Sequence, residues 1–321
     1  MSQRDDRWKA MRFERPEFIP VGVGILPAAW KLYRERLDEL CARHPAIFGA
    51  VEVGKRDYDA MREDYRPGRH TDPWGYVWEN VAEGMDSYVK VHNVPTRADV
   101  HRLKAPEVHD GIPHGFMFQR LYYLRGFEEL MLDFAEEPPE LQMLIDIVLN
   151  YNLRELEHKI AQLGPGPRIQ YFGDDLGMQD RLPISPGKWR KYLKPCYARL
   201  YHRCHEVGWA VYMHSDGHIL EVILDLKECG VDVINPQVRA NGLEALARVC
   251  KGRICVDLDL DRQMFPFCTP EEIDAHIREA VETLGSPEGG LWLKAEIGSD
   301  VPLENIKAIF TALEKYRAFF R

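Results

Sequence analysis

AVYMHSDGHILEVILDLKECGVDVINPQ, residues 210 to 237, carries the fold in miniature. Ala210 to Met213 form an apolar run with no alternation, as a strand covered on both faces requires. The run then breaks into His214, Ser215 and Asp216 before Gly217. HILEVILDLKECG reads as a short helix closed by glycine, and VDVINPQ as a second buried strand ending in Asn235 and Gln237. Two buried strands joined by a helix imply parallel pairing, because a parallel connection must cross the sheet.

The same unit repeats outward. RIQYFGDD reads as a strand, followed by a helix over SPGKWRKYLKPCYARLYHRCHEVG with Ser185 as its N-cap. Beyond residue 237 come a helix on LEALARVC, the strand ICVDLDL, a helix opened by the Thr-Pro-Glu-Glu cap of TPEEIDAHIREAVETLG, the strand GGLWLKAEIG and a last helix on PLENIKAIFTALEKY. Upstream, FIPVGVGILP reads as a strand and AAWKLYRERLDELCARHP as a helix, and Pro138 to Leu163 form one long helix ended by Gly164. Five consecutive strand-helix units with about three more upstream predict an α/β fold, a (β/α)8 barrel. No GxGxxG follows the first strand, which removes the main support for a dinucleotide-binding sheet.

Length and composition agree. A chain of 321 residues suits one barrel, so residues 1 to 321 are read as a single domain with an N-terminal extension over about 1 to 17. Formal charge is -9 with 45% hydrophobic and 29% charged residues, which disfavours nucleic acid and anionic membrane as partners. The charged start MSQRDDRWKAMRFERPEF and the lack of a long apolar run point to the cytoplasm. Seven cysteines without a CxxC pair read as reduced core or surface thiols.

In a parallel barrel, ligands bind at the carboxyl ends of the strands, so strands that end in polar groups mark the site. Five do so here: Asp174 and Asp175, then His214 and Asp216, then Asn235 and Gln237, then Asp257 and Asp259, then Lys294 and Glu296. Each has a local alternative, such as Asp216 capping the next helix or Asp259 pairing with Arg262. Together they predict one cleft with Asp174, Asp175 and His214 as catalytic groups. Substrate contacts are expected from Trp74, Tyr122, Arg125, Gln179, Asn235, Gln237, Asp257 and Lys294. His214 and Asp216 stand two apart in an extended segment and so face one cavity, where with Glu296 they could hold zinc and leave an open coordination position. The competing reading makes His214 a metal-free acid or base.

Four segments carry a family resemblance: YFGDDLGMQ (171 to 179), ISPGKWRKYLKPCYARL (184 to 200), MHSDGHILEVILDLKECGVDVINPQ (213 to 237) and GSDVPLENIKAIF (298 to 310). Together they resemble the uroporphyrinogen decarboxylase superfamily, which includes cobamide-dependent methyltransferases. The resemblance implies a barrel with a deep cleft. It places Asp72 and Tyr122 on the family's pocket aspartate and tyrosine, which adds Asp72 to the expected catalytic groups, and it places Asp174 on the family's serine and Ala295 on its histidine. The two arginines that grip substrate carboxylates would fall near Ile25 and Ala29, so both are missing. Uroporphyrinogen, with eight carboxylates, would then enter without its counter-ions, so haem-pathway decarboxylation is not expected. The methyltransferase branch binds zinc through a His-x-Cys pair and a later cysteine. Here His214 matches, Asp216 replaces the first cysteine, and Ala295 stands near the second, beside Glu296.

The resulting expectation is methyl transfer from a small methylated substrate to a corrinoid on a partner protein, with zinc as a Lewis acid. Metal-free decarboxylation of another acid and a non-catalytic tetrapyrrole- or corrinoid-binding module are the alternatives. The resemblance also implies a homodimer.

Overall fold

The computed structural model describes residues 3–62, 65–84, 86–109 and 111–321. Its strands are β1 (Val21–Ile25), β2 (Gly68–Thr71), β3 (Val77–Asn80), β4 (Tyr88–Val91), β5 (Arg168–Gly173), β6 (Trp209–Ser215), β7 (Val233–Pro236), β8 (Cys255–Asp259) and β9 (Leu291–Ile297). Six make one sheet in the order β1-β9-β8-β7-β6-β5. From β5 to β9 neighbours follow chain order, and the last strand pairs in parallel with the first.

The parallel sheet has six strands among the described residues, where about eight were expected. The upstream region supplies instead the antiparallel sheet β2-β3-β4. Its strands are four residues long with partly exposed side chains, and the Asp72-to-Gly75 turn between β2 and β3 is short enough for antiparallel pairing only.

By contact density the chain divides into two compact units, Met1–Glu63 with Asn235–Arg321, and Asp64–Ile234. In the first, β1, β9 and β8 pair in register, with Gly22 and Asp259 both opposite Lys294. Val21, Leu293, Ala295, Ile297, Val256 and Leu258 are buried, as a covered face of a parallel sheet demands. Helix Pro270–Leu284 starts with the expected capping box, Thr269 with Glu272. The N-terminal stretch is built into this unit: helix Gln3–Arg12 ends with Ala10 O accepting from Gly290 N at 2.8 Å, and the Arg7 guanidinium lies 5.4 Å from the Trp292 ring.

In the second unit β5 and β6 run in parallel from Arg168↔Trp209 to Gly173↔His214. The long helix forms as expected, Pro139–Leu163, stopped by Gly164 at φ +72°. Two other expected helices are broken. The one after Ser185 splits into Pro186–Tyr192 and Lys194–Glu206, because Pro195 has no N–H to donate to the preceding turn. Ser185 does cap it, accepting from Lys188 N at 3.2 Å. In the first unit the helix after β1 splits at Arg34, whose φ is +48°. No disulfide joins any of the seven cysteines, and six of them are buried, as core thiols. No helix among the described residues is long and apolar enough to cross a membrane.

The loops that leave β5 and β6 touch glycine to glycine. Gly177 N donates to Asp216 O at 3.3 Å and His218 N to Met178 O at 2.7 Å. A Cβ on Gly217, whose φ is +81°, would stand 2.3 Å from Gly177 O. Gly217→Ala therefore meets a backbone clash and a left-handed conformation together, and should cost roughly 3–5 kcal/mol in denaturant unfolding. Gly164→Ala, with an equally positive φ but nothing within 4 Å of its Cβ, should cost only about 1–2 kcal/mol. Equal losses would contradict the interlock.

Candidate functional site

β5 ends in two adjacent carboxylates that the period-2 pleat sends to opposite sides. Asp174 turns into the core and is fully buried. It accepts from Phe118 N at 2.6 Å, Gln119 N at 2.9 Å and the Tyr197 hydroxyl at 2.6 Å. The two amides belong to the first turn of helix Phe118–Arg125, so a carboxylate distant in sequence caps that helix and meets its positive end. Burial pushes the Asp174 carboxyl above its ordinary range, against the pull of these three donors. Both oxygens being occupied, Asp174 positions the helix, a different use from the catalytic one expected.

Asp175 faces the other way and organises the site. Gln119 grips it reciprocally, Nε2 donating to Oδ2 at 3.0 Å while Asp175 N donates to Gln119 Oε1 at 3.0 Å. Its Oδ1 accepts from Asp216 N at 2.9 Å. His114 Nε2 lies 3.1 Å from Oδ2, His214 Nε2 lies 3.8 Å from Oδ1, and the two imidazole rings are 5.6 Å apart. Asp216 Oδ1 stands 3.1 Å from the same His214 nitrogen. Burial would raise the Asp175 carboxyl, but His114, His214 and the Asp216 amide outweigh it and hold the group below its ordinary range. Burial would likewise lower His114, yet Asp175, with Asp174 and Asp216, keeps it above the usual imidazole value.

His114 is the residue that sequence reading missed. It sits in an aperiodic loop, and the only local signal was a histidine between Pro113 and Gly115. Its ring lies over β5 because position 173 is glycine: a Cβ there would stand 2.3 Å from His114 Nδ1. Gly115 N donates to Gly173 O at 2.7 Å and fixes the loop. Further back, the buried carboxylate Glu155 receives His109 N at 2.7 Å and Gly111 N at 3.2 Å.

Among the described residues, His114, Asp175 and His214 form the one group able to hold a metal, their ligand atoms lying within 4.8 Å of one another. Donors around a tetrahedral zinc at ~2.0–2.2 Å stand roughly 3.3 Å apart. Two neutral-capable imidazoles and one carboxylate thus fit with sub-ångström to ångström adjustments, and the set matches catalytic zinc sites that keep a position open.

This set differs from the expected His214, Asp216 and Glu296. His214 stays, Asp216 lies beside it, and the carboxylate of Glu296 is taken by Arg262. In the unit that holds Glu296, Asn235 Nδ2 donates to Asp257 O at 2.6 Å and Lys294 Nζ to Asn235 Oδ1 at 3.3 Å, while Gln237 bridges to Asp259. These strand ends form their own polar network.

Of the upstream residues, Tyr122 and Tyr123 share a ring contact of 4.8 Å, and the Tyr123 side chain passes over Gly115, beside His114. Burial pushes the Tyr122 phenol up to about 12, and Tyr123 rises for the same reason, so both remain protonated. Asp72 accepts from Trp74 N at 2.9 Å and lies 3.4 Å from Arg120, and Trp74 is buried edge-on against Tyr151; both build the β2–β3 turn. Arg125, expected to grip substrate, is buried and paired with Asp133 at 2.8 Å, Glu129 at 3.0 Å and Pro95 O, because a buried guanidinium must be paired. Gln179 is exposed on the loop.

A family model for uroporphyrinogen decarboxylase (URO-D) matches residues 117–316. Among solved structures, a methyltransferase from Methanosarcina mazei superposes with TM-score 0.65 at 15% identity over 98% of this chain and 99% of that one. A B12-independent methionine synthase from Shewanella sp. W3-18-1, in complex with selenomethionine, gives TM-score 0.44 at 13% identity over 94% and 97%. No curated protein sequence matches. The first superposition shows the barrel-type α/β fold over the whole chain.

In the metal-free protein the His114 imidazolium is worth most to stability below the ordinary imidazole value of ~6.5, and its contribution is lost as pH rises through the higher folded value. NMR titration of the ring should show this raised midpoint, and Asp175→Asn should drop it below that of wild type. Gly173→Ala should do the same by displacing the ring, with little loss of overall stability because the side chain is 48% exposed and can swing outward. A midpoint unmoved by either substitution would contradict the pairing.

Proposed function

This chain belongs to the uroporphyrinogen decarboxylase family, and from that premise we propose that it is an enzyme transferring a methyl group from a small methylated substrate to a corrinoid on a partner protein. His114, Asp175 and His214 would hold zinc. The observation that carries the reading is the meeting of these three side chains, drawn from a loop and two strand ends, on one carboxylate. When bound, zinc would supply Lewis acidity to the heteroatom that gives up its methyl group.

The chain's own residues would do the rest. Asp175, clamped by Gln119 and by the Asp216 amide, fixes both imidazoles, so the donors are preorganised. Asp216, next to His214, orients that ring. Tyr122 and Tyr123 keep their protons at neutral pH and are suited to donate hydrogen bonds to charge that develops on the departing heteroatom. A site of one carboxylate and two imidazoles is harder than a thiolate site, which favours oxygen or nitrogen over sulfur as the methylated atom. The missing arginines at Ile25 and Ala29 argue against uroporphyrinogen as substrate. The printed description of the Methanosarcina mazei neighbour as a methyltransferase is in line with this class.

One observation favours a second reading, metal-free acid–base catalysis on another acid. His114 above its ordinary pKa and paired with Asp175 is equipped to protonate a carbanion left by decarboxylation.

Elemental analysis after zinc loading and desalting separates the two. The metal reading expects about one zinc per chain in wild type and in Glu296→Gln, with occupancy or affinity down roughly 10–100-fold or more in His114→Ala and His214→Ala. Zinc lost from Glu296→Gln but kept by His114→Ala would restore the ligand set expected from sequence. Absence of zinc from every sample would move the reaction to acid–base chemistry.

A further inference from the structure

The register of β5 and β6 sets an aromatic surface beside the His114, Asp175 and His214 group. Tyr171 pairs with Tyr212, and Gly173, two residues on, pairs with His214, so all four positions share one face of the sheet. His114 lies on that same face, since its ring occupies the space a Gly173 Cβ would take. Tyr171 is 50% exposed in mid-strand, although Gln170 and Phe172 on either side are buried. It is held in place by Tyr212, which is 6% exposed, with ring centroids 4.8 Å apart at 48°.

Leaving a large ring half open to water in mid-strand forgoes burial that a polar residue would not miss. The surface is open to an occupant, and its chemistry selects one. Quaternary ammonium groups are held by several desolvated ring faces closing around the charge, whereas a single half-exposed ring braced by one neighbour suits stacking of another flat ring. The next residue pair on this face lies about 6.6 Å further along the strands, so a heteroatom attached to a ring stacked on Tyr171 comes within reach of the imidazoles.

We propose that Tyr171, backed by Tyr212, is the stacking platform for an aromatic ring of the substrate and makes the site prefer aryl over aliphatic methylated compounds. The substrate assignment rests on the methyl-transfer reading above; the platform itself does not. Tyr171 is a positioning residue, and its effect is read in the binding preference.

The test is ligand-observed NMR titration of zinc-loaded protein with anisole and with cyclohexyl methyl ether, which differ in aromaticity but not in the methylated oxygen. Wild type and Tyr171→Phe should bind anisole alike and more tightly than the cyclohexyl ether. Tyr171→Leu, which keeps apolar bulk, should weaken anisole roughly three- to tenfold, leave the cyclohexyl ether unchanged and retain the zinc content of wild type. Equal binding of both ethers by wild type, no binding of anisole, or full anisole affinity in Tyr171→Leu would overturn the platform. Aromatic preference that persists in protein unable to bind zinc would keep the platform and remove the metal reading; zinc binding without aromatic preference would do the reverse.

Discussion

Two neighbouring carboxylates at the end of one strand hold this site together, and they do so because a β-strand alternates its side chains. Asp174 goes inward and captures the first amides of helix Phe118–Arg125 and the Tyr197 hydroxyl. Asp175 goes outward and captures Gln119, His114 and the backbone of Asp216. One residue thus sets the helix that delivers Gln119, Tyr122 and Tyr123, and its neighbour ties Gln119 to two imidazoles. A one-residue slip of β5 would exchange their roles, burying the organising carboxylate and exposing the capping one.

Glycines make this arrangement physically possible. At Gly173 the absent Cβ leaves the volume into which His114 fits, and at Gly177 and Gly217 it lets two strand-end loops meet backbone to backbone. Close approach brings Asp216 and His214 against Asp175. The electrostatics follow from the packing: a partly buried carboxylate between two imidazoles lowers its own proton affinity and raises that of His114. A cation could be held here only once the His114 proton has left, so metal binding and protonation would compete for one set of atoms.

The aromatic residues divide by environment. Trp74 and Tyr76 are buried and serve a turn. Tyr122 and Tyr123 stay protonated beside the acidic groups. Tyr171 alone in β5 presents an open ring to the face that carries His214. Residue type made all of them look equivalent in sequence; burial and register gave them different tasks.

The sequence by itself determined the parallel βα units from Arg168 onward, because unbroken apolar runs and capped helices are local signals. It put Asp175 and His214 at the ends of neighbouring strands, where the structure brings them together, since the end of a buried strand is where a polar residue can escape the core. It did not determine His114, which reaches the site from a loop with no periodicity, nor the partners of Glu296 and Arg125, whose charges are satisfied by Arg262 and Asp133. It also misread the region after β1, where short half-exposed strands form an antiparallel sheet. Those outcomes depend on which chain segments meet in space. Long-range pairing is decided by packing and by the need to satisfy buried charge, and neither is encoded in the spacing of residues along one segment.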